Sequence, residues 1–166
     1  MLQKVERLQF SFSNNDAKVG VGLRHQHFPY LLGESRPQTQ LKWFEIITEN
    51  FINTRGLPFE RMMKIREDYP ISMHGVSLSI GLNDELNRSY LQKVKDLVQI
   101  VEPVLLSDHL CFTGLRNNNL HNLLPLSYTE ETLNDLIPRI NYLQDFFNRE
   151  ILLENLSAYF SYSHSS

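Results

Sequence analysis

Cysteine is nearly missing from this sequence: Cys111 is the only one among 166 residues. A lone thiol excludes an intrachain disulfide framework and any paired-cysteine zinc site. An excess of positive charge is missing too. Sixteen Lys and Arg face nineteen Asp and Glu, for a formal net charge of −3. No basic field is therefore present to hold a nucleic-acid backbone. No run of about 18 apolar residues occurs, so no membrane span is expected. The first seven residues, Met1 to Arg7, mix charged and apolar side chains and form no secretory apolar stretch. The cytoplasm is the expected compartment. No Gly-x-Gly-x-x-Gly or Walker pattern follows any apolar run, which takes weight from the nucleotide-binding members of the α/β class.

What is present is a globular composition, with 42% hydrophobic and 21% charged residues. The length suits one domain with its own core. Residues 1–17 read as an irregular segment, 18–160 as the domain and 161–166 as a polar tail. Within the domain, short apolar runs alternate with longer helical patterns. Val19–Leu23, Leu41–Ile47, Ile71–His74, Val104–Ser107 and Glu150–Glu154 read as five strands. Continuous apolar runs of this kind suit parallel strands covered on both faces.

Leu86, Tyr90, Leu91, Val94, Leu97, Val98 and Val101 form one apolar stripe at the helical period. Residues 58–68 form a shorter amphipathic stretch. Ser127 with Glu130 has the spacing of a capping box, opening a helix that carries Leu133, Leu136, Ile137, Ile140, Leu143 and Phe147. Pro138, inside that pattern, predicts a kink or a later start. The Asn117–Asn119 run reads as an exposed loop. Gly20 and Gly22 suit close packing better than phosphate cradling. The alternation as a whole predicts right-handed βαβ units: a partial TIM-type (β/α) barrel with about five of the eight strands of a closed one.

The C-terminal end of each predicted strand carries ligand-type side chains. The first is followed by Arg24, His25 and His27, and the second by Thr48, Glu49 and Asn50. The third ends at His74, the fourth leads into Asp108 and His109, and the fifth ends in Glu154 and Asn155. In a (β/α) barrel these ends converge on one face, where imidazoles and carboxylates would form a mixed N/O site suited to iron, manganese or zinc. Taken singly, each has a plainer explanation. A histidine near a strand end is commonly a hydrogen-bonded structural residue, Asn50 can be a turn residue and Asn155 a helix cap. Glu154 is harder to explain away, because a carboxylate closing an apolar strand needs a partner. The repetition across five strands carries the argument. Cys111 beside His109 could be a nucleophile, but a buried inert thiol is the better reading. No catalytic acid, base or nucleophile is singled out.

Several segments recur in a recognisable order. These are Gly20–Arg24 with His27-Phe28, Trp43–Phe51, Pro70–Gly81, Ser107–Leu110, Asn122–Thr129 and Leu152–Asn155. Together they resemble the multinuclear non-haem iron-dependent oxidases, the family of the methanobactin-biosynthesis oxidase MbnB. The segments around Ser72–Ser79 and Leu123–Thr129 are the most specific. The resemblance implies a TIM-type barrel holding two or three iron ions. It also implies O2-dependent modification of cysteines in a ribosomally made precursor peptide, presented by a partner protein. His74, His109 and Glu154 are the iron ligands so implied, with Glu154 bridging. His27, Glu49 and Asn50 stand among or beside them, and Asp108 and Asn155 complete the candidate set.

Members of that family continue for three more strands with further Asp and His ligands, which do not follow here. The expectation is thus of a truncated oxidase, inactive alone or completed by a second chain. Two other readings stand beside it. One is a non-catalytic half-barrel remnant serving as an assembly or binding module, with its first and fifth strands as open sheet edges prone to self-association. The other is a different metal-dependent barrel enzyme, of the sugar isomerase or endonuclease type.

Overall fold

The computed structural model describes residues 19–33, 39–81, 84–115 and 118–156. The expected irregular segment 1–17 and polar tail 161–166 lie outside them. Five strands form one parallel sheet: β1 (Val21–Gly22), β2 (Phe44–Ile47), β3 (Ile71–Gly75), β4 (Leu105–His109) and β7 (Leu152–Glu154), in the order β1-β2-β3-β4-β7. Each of these strands pairs with the next. The fold class is therefore α/β, as the strand–helix alternation predicts. The sheet is open among the described residues, with β1 and β7 at its edges.

All five β3 residues are buried, as suits the centre of a parallel sheet covered on both faces. On β2 the pattern alternates, with Phe44 and Ile46 buried and their neighbours half-buried. The principal helices are α3 (Leu57–Arg66), α4 (Arg88–Val101) and α5 (Glu130–Phe147). Five residues of the predicted stripe are what α4 buries, Leu91, Val94, Leu97, Val98 and Val101, while Leu86 precedes the helix and Tyr90 is half-buried. Phe59, Met62 and Ile65 of α3 and Leu136, Leu143 and Phe147 of α5 join the same core. Burial of each such side chain stabilises the fold by about 1.5–3 kcal/mol. None of the described helices is long and apolar enough to cross a membrane.

Local chemistry sets the helix ends. Asn87 Oδ1 accepts the Tyr90 N–H at 3.0 Å and caps α4. The cap of α5 is Thr129, whose Oγ1 accepts the Thr132 N–H at 3.2 Å, and not Ser127. Only Ser127 has the capping-box spacing to Glu130, but Thr129 adjoins the first helical residue and takes the role. Pro138 lies inside α5 and does not delay its start.

Arginines tie the loops together. Arg139 donates to the carbonyls of Ile80 and Asp84, and Arg149 donates to that of Pro103. Gly20 fits its place because a Cβ there would stand 2.2 Å from the Trp43 ring, whereas Gly22 meets nothing.

Three elements depart from expectation. Two single-turn helices, α1 (Phe28–Leu31) and α2 (Glu49–Ile52), follow directly on residues read as strand ends. The third departure is a two-stranded antiparallel hairpin of β5 (Phe112–Leu115) and β6 (Asn118–Leu124), which pairs Phe112 with Leu124 and Leu115 with Asn118. The stretch read as an asparagine-rich loop thus runs into β6. Two short runs joined through asparagines make a hairpin signal that composition alone conceals.

Candidate metal centre

The site is built by register. His74 near the end of β3 pairs with Ser107 of β4, and His109 at the end of β4 pairs with Glu154 at the end of β7. Residues two apart on a strand share a face, so Ser107 and His109 point the same way. Three of the predicted ligands, His74, His109 and Glu154, thereby converge, and their donor atoms all lie within 4.8 Å of one another. His74 Nε2 is 3.5 Å from Glu154 Oε2, and His109 Nε2 is 3.7 Å from Glu154 Oε1. The two rings meet edge to face, with centroids 4.6 Å apart.

The other ring nitrogens are engaged. His74 Nδ1 lies 2.8 Å from Ser107 Oγ, and His109 Nδ1 lies 3.3 Å from the Gly75 carbonyl oxygen. A carbonyl only accepts, so this contact is a hydrogen bond when His109 carries a proton on Nδ1, and the neutral ring then keeps Nε2 free as a donor atom for a cation shared with Glu154. The imidazoles are enclosed, with side chains 9% and 10% exposed, while the Glu154 side chain is 59% exposed on the sheet edge.

The donor set suits a cation. Bonds of about 2.1 Å in tetrahedral array put donors roughly 3.4 Å apart. The His–Glu separations of 3.5 and 3.7 Å are already close to that. Two imidazoles and one carboxylate, with the remaining positions open, are the ligand type that non-haem iron oxygenases use.

Asp108, one residue before His109 on β4, is differently employed. It is 1% exposed. Its Oδ1 accepts the His109 N–H at 2.8 Å and its Oδ2 accepts the Leu78 N–H at 3.3 Å. Burial, followed by the charge of Glu49, pushes its carboxyl up to about 7. It occupies the space a side chain at position 75 would need, since a Cβ on Gly75 would stand 2.2 Å from Oδ2.

Glu49, the first residue of α2, lies beside the centre but outside the converging trio. Its Oε1 accepts the Val76 N–H at 2.9 Å and the Tyr90 O–H at 2.5 Å, while its Oε2 is buried without a hydrogen-bond partner. Burial, and after it the charge of Glu49, holds the Tyr90 phenol far above its ordinary range. His27 sits in the short helical turn after β1, where its Nδ1 accepts the Arg24 N–H at 3.2 Å. Asn50 and Asn155 are exposed. Cys111 is fully buried, and burial followed by the charge of Asp108 pushes its thiol up to about 12, in keeping with an inert role.

Sequence reasoning gave Ser107, at the end of the fourth strand, and Tyr90 no role in the site. Ser107 could have been found from its place two residues before His109 on one strand. Tyr90 read only as part of the apolar stripe of α4, and nothing local signals that its hydroxyl reaches α2.

The sequence pattern of the family described as "RiPP precursor modification enzyme MbnB/TglH/ChrH" matches residues 18–166. Among curated relatives, a UPF0276 protein of Acaryochloris marina is 42% identical over 148 residues, which are 89% of this chain and 52% of that protein. One of Anaeromyxobacter is 42% identical over 146 residues, 88% of this chain and 50% of its own length. One of Caulobacter vibrioides is 40% identical over 147 residues, 89% of this chain and 52% of its own. The chain thus spans about half the length of the curated relatives it matches.

Proposed function

Because this chain belongs to the MbnB/TglH/ChrH family of RiPP precursor modification enzymes, we propose that its His74–His109–Glu154 face holds iron. We further propose that it serves the O2-dependent modification of cysteine residues in a ribosomally made precursor peptide. The observation that supports this reading best is the convergence of two imidazoles and one carboxylate within 4.8 Å at the C-terminal ends of three parallel strands. When bound, iron supplies the one-electron chemistry that couples O2 reduction to oxidation of a substrate thiol.

The protein's own part is placement. His109 offers Nε2 because the Gly75 carbonyl takes its other nitrogen. Asp108 pins the His109 backbone and the segment after β3 at once. Glu154, at the end of β7, brings its carboxylate up to both imidazoles. The substrate in this reading is a cysteine-bearing peptide, presented by a partner protein.

Anaerobic loading with ferrous iron, followed by gel filtration and metal analysis, tests the reading. Roughly one retained iron per chain is expected, with loss in His74→Ala and Glu154→Gln, since ligand and metal binding are linked. No retained iron, or equal retention by both variants, overturns it. The alternative of a non-catalytic assembly module draws on the edge position of β7 and would gain from that second outcome.

A further inference from the structure

Ser107 is neither a ligand of the trio nor part of the hydrophobic core, yet its hydroxyl stands 2.8 Å from His74 Nδ1. The two residues are register partners on adjacent strands, so their side chains rise together from one face. His109, two residues further along β4, solves the same problem differently. Its Nδ1 meets the Gly75 carbonyl, a group with no proton to give. Backbone geometry therefore decides which nitrogen of His109 faces Glu154. Among the described residues no backbone group does so for His74. Without a partner at Nδ1 that ring could carry its proton on either nitrogen or turn about its Cβ–Cγ bond, and each departure would take the Nε2 lone pair away from the position shared with His109 and Glu154.

We propose that Ser107 is the positioning residue of this centre: its hydroxyl accepts the Nδ1 proton of His74 and holds Nε2 toward Glu154. The proposal rests on reading the trio as a cation site. Partners of this kind fix ring orientation and ligand basicity, and their loss lowers metal affinity by about tenfold to a hundredfold. A hydroxyl is a sufficient partner here because the ring is already confined, edge to face against His109.

The test compares the wild-type chain with Ser107→Ala and Ser107→Thr. Ferrous iron affinity is measured anaerobically by competition with a chromophoric chelator. Long-range imidazole 1H–15N correlations on the metal-free proteins report which nitrogen of each histidine carries the proton. Ser107→Ala is expected to weaken iron binding by about tenfold or more. It is also expected to convert His74 from one tautomer to a mixture, with His109 unchanged. Ser107→Thr, which keeps the hydroxyl on a residue that strands favour, is expected to restore both. Unchanged affinity and an unchanged His74 signal in Ser107→Ala overturn the proposal. A wild-type chain that binds no iron overturns the metal reading instead, and the tautomer of His74 still decides whether Ser107 positions it.

Discussion

Gly75 is expected to tolerate no side chain while Asp108 stands where it does. A Cβ added there would lie 2.2 Å from Asp108 Oδ2 and 3.2 Å from its Cγ. Ordinary carbon–oxygen contacts begin near 3.3 Å, so about 1 Å of movement is required. Asp108 is poorly able to supply it, being 1% exposed and bonded through both oxygens to backbone N–H groups. Overpacking of this kind costs about 1–3 kcal/mol. Losing the Leu78 hydrogen bond leaves a buried donor unpaired, at about 1–3 kcal/mol more. Gly75→Ala should therefore destabilise by about 2–5 kcal/mol, a large part of a typical domain's stability.

The origin of the cost can be isolated. In an Asp108→Ala background the added methyl enters the vacated space, and the same glycine substitution should cost less than about 1 kcal/mol. Urea unfolding followed by circular dichroism, across the four proteins of the cycle, measures both. An equal cost of Gly75→Ala in both backgrounds would refute the reasoning, because something other than the Asp108 contact would then explain it, backbone entropy alone favouring alanine.

Two shorter expectations follow from the same region. Tyr90→Phe deletes a donor to Glu49 Oε1 in a carboxylate whose other oxygen is already unpartnered. Chemical denaturation should show a loss of about 1–3 kcal/mol, and no loss would mean that water replaces the phenol. Cys111 should react with a thiol reagent at pH 8 only on unfolding, since it is buried and its thiol is pushed up to about 12. Rapid labelling of the native protein would contradict that placement.

The parallel sheet was legible because its strands are apolar runs set between helical stripes. The stripe of α4 identified its buried residues one by one. The ends of elements were harder to read. β4 extends to His109, past the predicted stop at Ser107, because Asp108 and His109 keep the pleat while looking like loop residues. Asp108 can do so only because backbone donors meet its carboxylate.

The candidate site was legible as a set of strand-end residues and not as an arrangement. His74, His109 and Glu154 converge because strand register aligns them, a property of pairing between segments far apart in sequence. Asn50 and Asn155 sit next to well-placed residues, yet one position along a chain changes the direction a side chain faces. Ser107 and Tyr90 escaped notice because a hydroxyl in an apolar run gives no sign of the partner it will meet.

Among the described residues β7 is the rim of the sheet, which gives the metal reading a mechanical side. This strand of three residues is joined to β4 by the register pairs from Ser107 to His109 and by the Leu110 N–H on the Glu154 carbonyl at 2.9 Å. Short rim segments open most readily in native proteins. His74 and His109 stand on interior strands, so a cation gripped by all three donors would moor the rim to the middle of the sheet. Occupancy would then be written in the hydrogen-exchange rate of the Leu110 amide, slowed on loading. The opposite rim at β1, which contributes no donor to the trio, would keep its own pace.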